Sequence, residues 1–588
     1  MINEVLLSLF LLTFIIFAVL LWKRIKLYNK KIDFVKLIIH EFKEATRGGV
    51  GYMHFSIASG VVLSVVLALL DFAPAAKLAL WLISLPIIAG LIAAALYRVG
   101  VFIRSGVIHR RLGEDKKFVS ESNKMQLVLL FIIILTTLDL SLSIFNSAIS
   151  NTIGILRNIL LAAFYVKPAA NLMVNYDREL SHFRIPFRLE DVIEGKIKPE
   201  EVKFGYEKIA DVDKDVVLSC QSCGEIGACD AGCPAVAAGR LLSPRVVVRT
   251  VALNSNNPEF ELAVKLEQQA WACTTCGYCV YACPVRVNHL DVIFGVRRAL
   301  VAQSKVDKKI ADVLMSASQY GNTMSTPNTG RHDWLYSLGV KHISENPNAE
   351  YLLWVGCMGS FDGRARQIVQ ALVEVLKKAG MLEKIAVLGD EETCCGDPIR
   401  RLGEESRFQE IVLNNKEIFN KYGIKKIITI CPHGYNTFKN DYKRLGVELE
   451  VYHHVEILQK LADEGKISVK SLGASLTIHD PCYLARYNKV VEPQRKIVVK
   501  LGELKEPPRR GEKTFCCGAG GGNYWYDVPE EKRISHIRFE ELEKTGASTI
   551  VTLCPFCNAM LLDAKRTKES KVEVKDLVEL VAESLGGA

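Results

Sequence analysis

Eight of the seventeen cysteines fall in two groups: Cys220, Cys223, Cys229 and Cys233 ahead of Pro234, and Cys273, Cys276, Cys279 and Cys283 ahead of Pro284. The second group reads C-x2-C-x2-C-x3-C-P, the bacterial ferredoxin spacing, in which three thiolates surround one cluster and the fourth reaches across to a neighbour. On that pattern Cys273, Cys276, Cys279 and Cys233 hold one 4Fe-4S cube, and Cys220, Cys223, Cys229 and Cys283 hold the other. The first group departs from the pattern: five residues rather than two separate Cys223 from Cys229, so its loop is longer. Paired C-x2-C motifs also bind zinc or form disulfides. The recurrence of a four-cysteine group closed by Cys-Pro favours iron and sulfur.

The other nine cysteines lie in a repeat. In residues 350–460 a hydrophobic strand (YLLWVG) runs into Cys357, Cys394-Cys395-Gly396 follows, and KKIITI runs into Cys431-Pro432-His433. In residues 475–585 SLTIHDP runs into Cys482, Cys516-Cys517-Gly518 follows, and STIVTL runs into Cys554-Pro555-Phe556-Cys557, at nearly the same intervals. Cysteines at the carboxyl ends of β-branched strands, with amphipathic helices between, describe α/β units whose site forms above the strand ends. Adjacent cysteines fit one small cube poorly, which points to a larger or split cluster. The glycine run Gly518–Gly522 opens no G-x-G-x-x-G helix after a strand, so it reads as backbone brought close to cluster sulfurs rather than as a phosphate cradle. His433, His453, His454 and His479 flank these motifs, and the structural role of a partly buried histidine is the expectation for them.

The phrases CCGDPIRRLGEE, CPHGYNTFKNDY, HDPCYLARYN, CCGAGGG and CPFCNAML resemble the D-type subunit of the heterodisulfide reductase family. They are also similar to membrane-bound iron–sulfur oxidoreductases that exchange electrons between electron-transfer flavoprotein and quinone. The resemblance covers residues 210–585. It implies that Cys482, Cys516, Cys517, Cys554 and Cys557 bind a noncubane 4Fe-4S cluster with the catalytic, substrate-facing role. In the first copy Gly434 stands where the family's fifth cysteine is expected. Cys357, Cys394, Cys395 and Cys431 then hold a more ordinary metal cluster, or none.

These sites need elements to hold them. At 588 residues the length suggests about four domains. The apolar share is 49%, and the first 175 residues are mostly long uncharged runs. Residues 4–22 span a bilayer in length and lack the basic start and small-residue cleavage site of a signal peptide. Further runs near 54–72, 78–97, 125–146 and 152–174 give five spans. The net charge of +9 concentrates in the loops after the first and third runs. By the positive-inside rule this puts the N-terminus outside and the cysteine-rich remainder in the cytoplasm, and topology explains the charge better than nucleic acid does. Metal-type cysteine spacing agrees with a reducing compartment.

The expected fold is multidomain: a five-helix transmembrane bundle over 1–176, a linker over 177–212, a two-cluster ferredoxin-type domain over 213–330, and two CCG modules over 350–460 and 475–585. The linker carries a short amphipathic segment lying against the membrane face, and 320–332 reads as a domain boundary. A cytochrome b-like layout invites a haem b, with His54 at the mouth of the second run as a ligand; His40, His109 and His182 lie near helix ends. The fifth run has no histidine, where the quinone-linked relatives carry a haem ligand. Asp139 and Arg157 inside apolar runs are candidates for a quinone pocket or an ion pair, with snorkelling the alternative for Arg157.

Two functions fit. The first is a membrane-anchored oxidoreductase passing electrons between a soluble carrier, such as electron-transfer flavoprotein, and membrane quinone, with further subunits as partners. The second is a thiol–disulfide reductase working at the five-cysteine module. A scaffold with purely structural clusters is the third and weakest reading.

Overall fold

The structure, a computed structural model, describes residues 2–27, 49–70, 73–175 and 183–586. Its N-terminal part is a bundle of α1 (Ile2–Lys26), α2 (Gly49–Leu69), α3 (Pro74–Leu112), α4 (Lys116–Leu142), α5 (Ser147–Leu160) and α6 (Val166–Asn175). Long aliphatic runs satisfy their own backbone as helices, which is what a bilayer demands. The turn between α3 and α4 is set locally. Gly113 takes a left-handed φ of 64°, and the Asp115 carboxylate accepts from the Phe118 N–H at 2.8 Å to start α4.

The helices fall where the five runs lie, but the span count changes. Among the described residues α1, α3 and α4 are long and apolar enough to cross a bilayer. α5 and α6 meet at 66° across a π-helical turn, Leu161–Tyr165, and make a fourth span when counted together. The described side chains of α2 offer an apolar stretch over Ser59–Leu69. Among the described residues three helices therefore meet the length and apolarity of a span, or four with the bent pair, and the start of the second expected run lies outside the described side chains. The ring of His54 lies outside the described residues, as do His40 and His182. His109 is buried at the end of α3, its Nε2 3.2 Å from Ser122 Oγ.

Arg157 does not snorkel. It is fully buried, with Nη1 2.6 Å from Asp139 Oδ2 and 2.6 Å from Ser64 Oγ. Asn158 Oδ1 accepts from its Nε and Nη2, and Ser150 donates to Asp139 Oδ1 at 2.6 Å. This is an ion pair tied into α2, α4 and α5, with each charge paired and hydrogen-bonded where no water reaches.

The ferredoxin-type part is helical, and each cysteine group is closed by a short helix, Ala228–Ala231 and Tyr278–Ala282. Two parallel sheets follow. The first has β1 (Lys341–His342), β2 (Tyr351–Trp354), β3 (Ile385–Val387), β4 (Lys426–Thr429) and β5 (Glu450–His453), in the order β1-β3-β2-β4-β5. The second has β6 (Ala474–Ile478), β7 (Gly502–Leu504), β8 (Thr549–Thr552) and β9 (Glu573–Asp576), in the order β7-β6-β8-β9. All four residues of β2 and of β8 are buried, as a strand covered by helices on both faces requires. The carboxyl ends of β2, β4, β6 and β8 lead directly into Cys357, Cys431, Cys482 and Cys554.

Two connecting segments differ from expectation. Leu189–Ile193 lies against the first module, not the membrane face: Leu189 N–H donates to Gln409 Oε1 at 2.8 Å, Gln409 returns a bond to Phe187 O at 2.8 Å, and Lys416 pairs with Glu190 at 2.9 Å. Residues 320–332 also belong to that module. Cys394 N–H donates to Gly321 O at 2.6 Å, Arg331 pairs with buried Glu392 at 2.7 Å, and β1 extends the sheet ahead of residue 350. In both segments a tertiary partner decides what a polar stretch does.

Removing one member of the bundle's ion pair strands the other. Arg157→Leu is expected to destabilise the detergent-solubilised protein by about 3–5 kcal/mol in thermal unfolding, with Arg157→Leu/Asp139→Leu recovering most of the loss. Equal loss in the single and double variants would exclude charge pairing as the cause.

Candidate iron–sulfur centres

Cys233, Cys273, Cys276 and Cys279 line one small cavity of about 20 Å³ with apolar walls that include Ala235, Leu242, Leu290 and Ile293. Burial pushes the Cys233 and Cys279 thiols well above their ordinary value and Cys273 up to about 11. Cys220, Cys223 and Cys229 are buried nearby, and Cys223 and Cys283 both bear on the charge of Cys229. Burial pushes Cys223 up to about 12. Thiols gathered in apolar surroundings ionise only against a positive partner, and metal binding supplies one. Among the described residues no cysteine is in a disulfide. This donor set fits a pair of iron–sulfur clusters. Thr275 N–H donates to Cys273 Sγ at 3.3 Å and Val287 N–H to Cys283 Sγ at 3.4 Å, bonds of the kind that raise a cluster's potential.

In the second module Cys517 Sγ and Cys557 Sγ are 3.3 Å apart, and with a ring nitrogen of His479 they lie within 4.8 Å of one another. Cys482, Cys516, Cys517, Cys554 and Cys557 are all buried. In the first module Cys394 bonds through sulfur to Cys357 and Cys395, and Cys395 lies in the field of Cys431. Cys357, Cys395 and Cys431 are only half-buried. With Cys394 they line a cavity of about 50 Å³ between the modules, whose far wall is Ala519–Gly522, Trp525 and Phe556 of the second module. The cysteines that open to a cavity are thus those of the first copy, whereas the family resemblance places the substrate-facing role in the second. Gly434, which aligns with Cys557 of the second copy, borders the same cavity.

Sulfur pairs join three of the four sets. Cys431 bonds to Cys554 across the modules, and Cys516 bonds to both Cys482 and Cys276 of the ferredoxin-type part. Cys229 also lies in the field of Cys279 from the other ferredoxin-type set.

Residues without a sequence signal hold this arrangement. The Arg297 guanidinium donates to Cys273 O at 2.6 Å, Gly521 O at 2.8 Å and Arg401 O at 2.6 Å. Arg486 donates to Cys276 O at 2.7 Å and Glu512 O at 2.8 Å. A Cβ on Gly520 would sit 2.4 Å from Thr274 O, and one on Gly521 2.5 Å from Cys273 O, so the glycine run lets the second module press its backbone onto the cluster loop. Of the flanking histidines, His454 is paired with Asp576 at 2.9 Å, while His433 and His479 face sulfurs.

The long loop between Cys223 and Cys229 docks on the bundle. Arg98 of α3 donates to Glu225 O at 2.5 Å and Gly224 O at 2.7 Å. The Glu225 carboxylate is buried between Arg245 at 2.7 Å and Arg249 at 2.8 Å and accepts from Ser122 of α4. Burial works to raise this carboxyl, but the two arginines outweigh it and hold it below the usual range. Arg24 of α1 reaches Gln221 at 2.9 Å, and Asn171 of α6 reaches Val285 O at 2.5 Å. All three cysteine segments of one set are therefore tied to membrane-end helices.

Residues 351–439 and 476–562 match the cysteine-rich domain family (CCG), and residues 214–287 match the 4Fe-4S dicluster domain family. The chain is 30% identical to the D-type subunit of the dihydromethanophenazine:CoB--CoM heterodisulfide reductase of Methanosarcina mazei over 403 residues, which covers 63% of this chain and 94% of that one. The chain belongs to this family of CCG-domain iron–sulfur oxidoreductases. It is 35% identical over 442 residues to the probable iron-sulfur-binding oxidoreductase FadF of Bacillus subtilis, covering 66% of this chain and 62% of the relative. It is 34% identical over 463 residues to the EtfAB:quinone oxidoreductase of Syntrophomonas wolfei, covering 70% and 63%. The chain thus spans under two thirds of these two relatives' length. Family membership makes it an iron–sulfur oxidoreductase with a dicluster domain, two CCG modules and membrane-type apolar helices.

The grouping of sulfurs has a spectroscopic consequence. Cys233→Ser is expected to perturb the same cluster EPR signal as Cys276→Ser, and Cys283→Ser the signal perturbed by Cys223→Ser. Perturbation of one signal by Cys233→Ser and Cys223→Ser together would exclude the crossed pairing.

Proposed function

We propose that the protein is a membrane-anchored electron conduit between a soluble carrier, such as an electron-transfer flavoprotein, and membrane quinone. The observation that carries this reading is the unbroken order of the cysteine sets. The intermodule cavity comes first, then the first module, the second module, the Cys233/Cys273/Cys276/Cys279 set and the Cys220/Cys223/Cys229/Cys283 set. The last of these is bolted to the bundle by Arg24, Arg98 and Asn171. The name of the Syntrophomonas relative supports both ends of the route.

Each set is assigned an iron–sulfur cluster: cubes in the two ferredoxin-type sets and a noncubane cluster on Cys482, Cys516, Cys517, Cys554 and Cys557. The clusters supply one-electron carriers at potentials tuned by hydrogen bonds and burial. The chain's own residues supply fixed separation, exclusion of water and N–H donors to sulfur. The bundle is read as multi-pass with the N-terminus outside and the clusters cytoplasmic. Two electrons and two protons convert each quinone to quinol. A haem b on His54 would extend the route, and nothing in the order of the sets depends on one.

Thiol–disulfide reduction is the second reading, because four sulfurs of the first module border a cavity rather than a sealed core. The two are separable. Detergent-purified protein with a reduced carrier is expected to reduce a quinone analogue, and low-molecular disulfides are expected to leave its EPR signals unchanged. Arg98→Leu, which frees the cluster loop from α3, is expected to slow quinone reduction while the module clusters still accept electrons from the carrier. A carrier-reduced protein that never passes electrons to quinone, or that reoxidises on adding a disulfide, would reverse the assignment.

A further inference from the structure

We infer that the uncapped start of the helix Ile534–Glu543 is an anion site, and that the cavity in front of it takes a phosphate monoester of nucleotide size. The helix is 10 residues long; the Arg533 side chain makes no capping bond, and the first turn holds no acidic residue. Among the described residues no side chain or carbonyl accepts from the N–H of Ile534 or of Ser535. Such leftover N–H groups, at the positive end of the helix dipole, suit an oxyanion.

Two buried side-chain atoms belong to the same opening. Ser535 is completely enclosed, yet its Oγ has no hydrogen-bond partner among the described residues, and His536 Nε2 is buried without one. A buried hydroxyl left in this way is a cost that a ligand oxygen removes. Both residues line a cavity of about 540 Å³, together with Arg240, Gly518, Tyr526 and Met560. That volume lies in the range of small-molecule sites, with room for more than a lone phosphate. The loop before the helix is fixed, because the N–H groups of Glu531 and Lys532 donate to Ala238 O at 2.8 and 3.2 Å. The place is distinct from the cavity between the modules. Ile534 instead packs on Gly518, whose N–H donates to Cys516 Sγ at 3.3 Å.

The charges lining the cavity select the ligand. Its three carboxylates are already paired: Asp527 with Lys309 at 2.7 Å, Glu530 with Arg240 at 2.8 Å and Glu531 with Arg111 at 3.6 Å. Lys532 is held by Glu540 at 2.6 Å. Of the lining cations Arg533 is held most loosely, its guanidinium 3.5 Å from Asp563 and its side chain 56% exposed. It stands at the helix start, where it can turn onto a bound phosphate. The paired carboxylates keep lone pairs for hydroxyl groups, so a phosphate carried on a sugar or nucleoside answers more of the wall than an inorganic ion does. A cationic or apolar ligand would leave the helix N–H groups and Ser535 without partners.

Neither a cluster nor the quinone route enters into this site. The test titrates full-length protein in detergent with AMP by isothermal calorimetry, with inorganic phosphate and adenosine in parallel. AMP is expected to saturate a single site, phosphate to displace it more weakly, and adenosine to show no saturable binding. Ser535→Ala, which removes one small hydroxyl, is expected to weaken AMP about tenfold or more. Arg533→Asp places a carboxylate at the N-cap, where it takes up the helix N–H groups and strengthens the helix. It should keep or raise the Tm while abolishing AMP binding, a combination that a merely structural role would not produce. No saturable binding of AMP, adenosine binding as tightly as AMP, or unchanged AMP affinity in Arg533→Asp would each overturn the site. Phosphate binding as tightly as AMP would overturn the ester and leave the anion.

Discussion

The arrangement depends on one buried guanidinium. Arg297 is completely enclosed and donates to the carbonyls of Ala270, Cys273, Arg401 and Gly521. Those carbonyls belong to the ferredoxin-type part, the first module and the second module. A guanidinium is suited to this because its five N–H donors lie in one plane and keep their charge at any physiological pH. Carbonyls from all three parts are satisfied together, and satisfying them draws the three parts to one point. Arg401 extends the junction. It pairs with Asp397 at 2.9 Å and Asp441 at 2.8 Å, and its guanidinium stacks over Phe183 at 4.4 Å. Sulfur-to-sulfur contact between cysteine sets from separate domains is the consequence.

Parallel strands do the coarse positioning and glycines the fine. Each sheet delivers its cysteines at the carboxyl ends of its central strands, so the cysteines of each module converge above one edge. That edge comes into contact with the Cys273–Thr275 loop only because Gly520 and Gly521 have no Cβ. On the far side, Thr275 is held by Tyr483 at 2.9 Å and by Tyr487 at 2.5 Å, two stacked rings on the helix that begins with Cys482. The same short helix therefore carries one module's first cysteine and grips the neighbouring cluster loop.

What the sequence made legible was whatever is encoded by spacing along the chain. The ferredoxin motif, the repeat of Cys-Cys-Gly and the glycine at position 434 are local patterns, and the strands and helices they imply are where the structure has them. What was not legible is encoded by contact between distant segments. Arg297, Arg486 and Arg98 look like ordinary basic residues in their own helices, and their carbonyl partners lie far away in sequence. Leu189–Ile193 has the composition of a membrane-face helix, but Gln409 and Lys416 claim it. Arg157 sits where snorkelling and pairing look alike until Asp139 and Ser64 are seen beside it.

The lengthened loop between Cys223 and Cys229 shows how a departure from a motif becomes informative once its partner is known. A ferredoxin loop needs only enough chain to turn from one sulfur to the next, so extra residues impose conformational entropy with no benefit to the cluster. Here they place Glu225 among Arg245, Arg249 and Ser122 and offer two backbone carbonyls to Arg98. The carboxylate neutralises arginines that would otherwise be buried unpaired beneath the bundle, which is the condition under which a buried charge is tolerable. A Cβ on Gly227 would lie 2.7 Å from Val101, so the loop is also packed against α3 at close approach. Charge pairing, carbonyl donation and steric fit all fix the same few residues against the same two helices. The separation between this cysteine set and the bundle is consequently fixed by three independent contacts rather than by one.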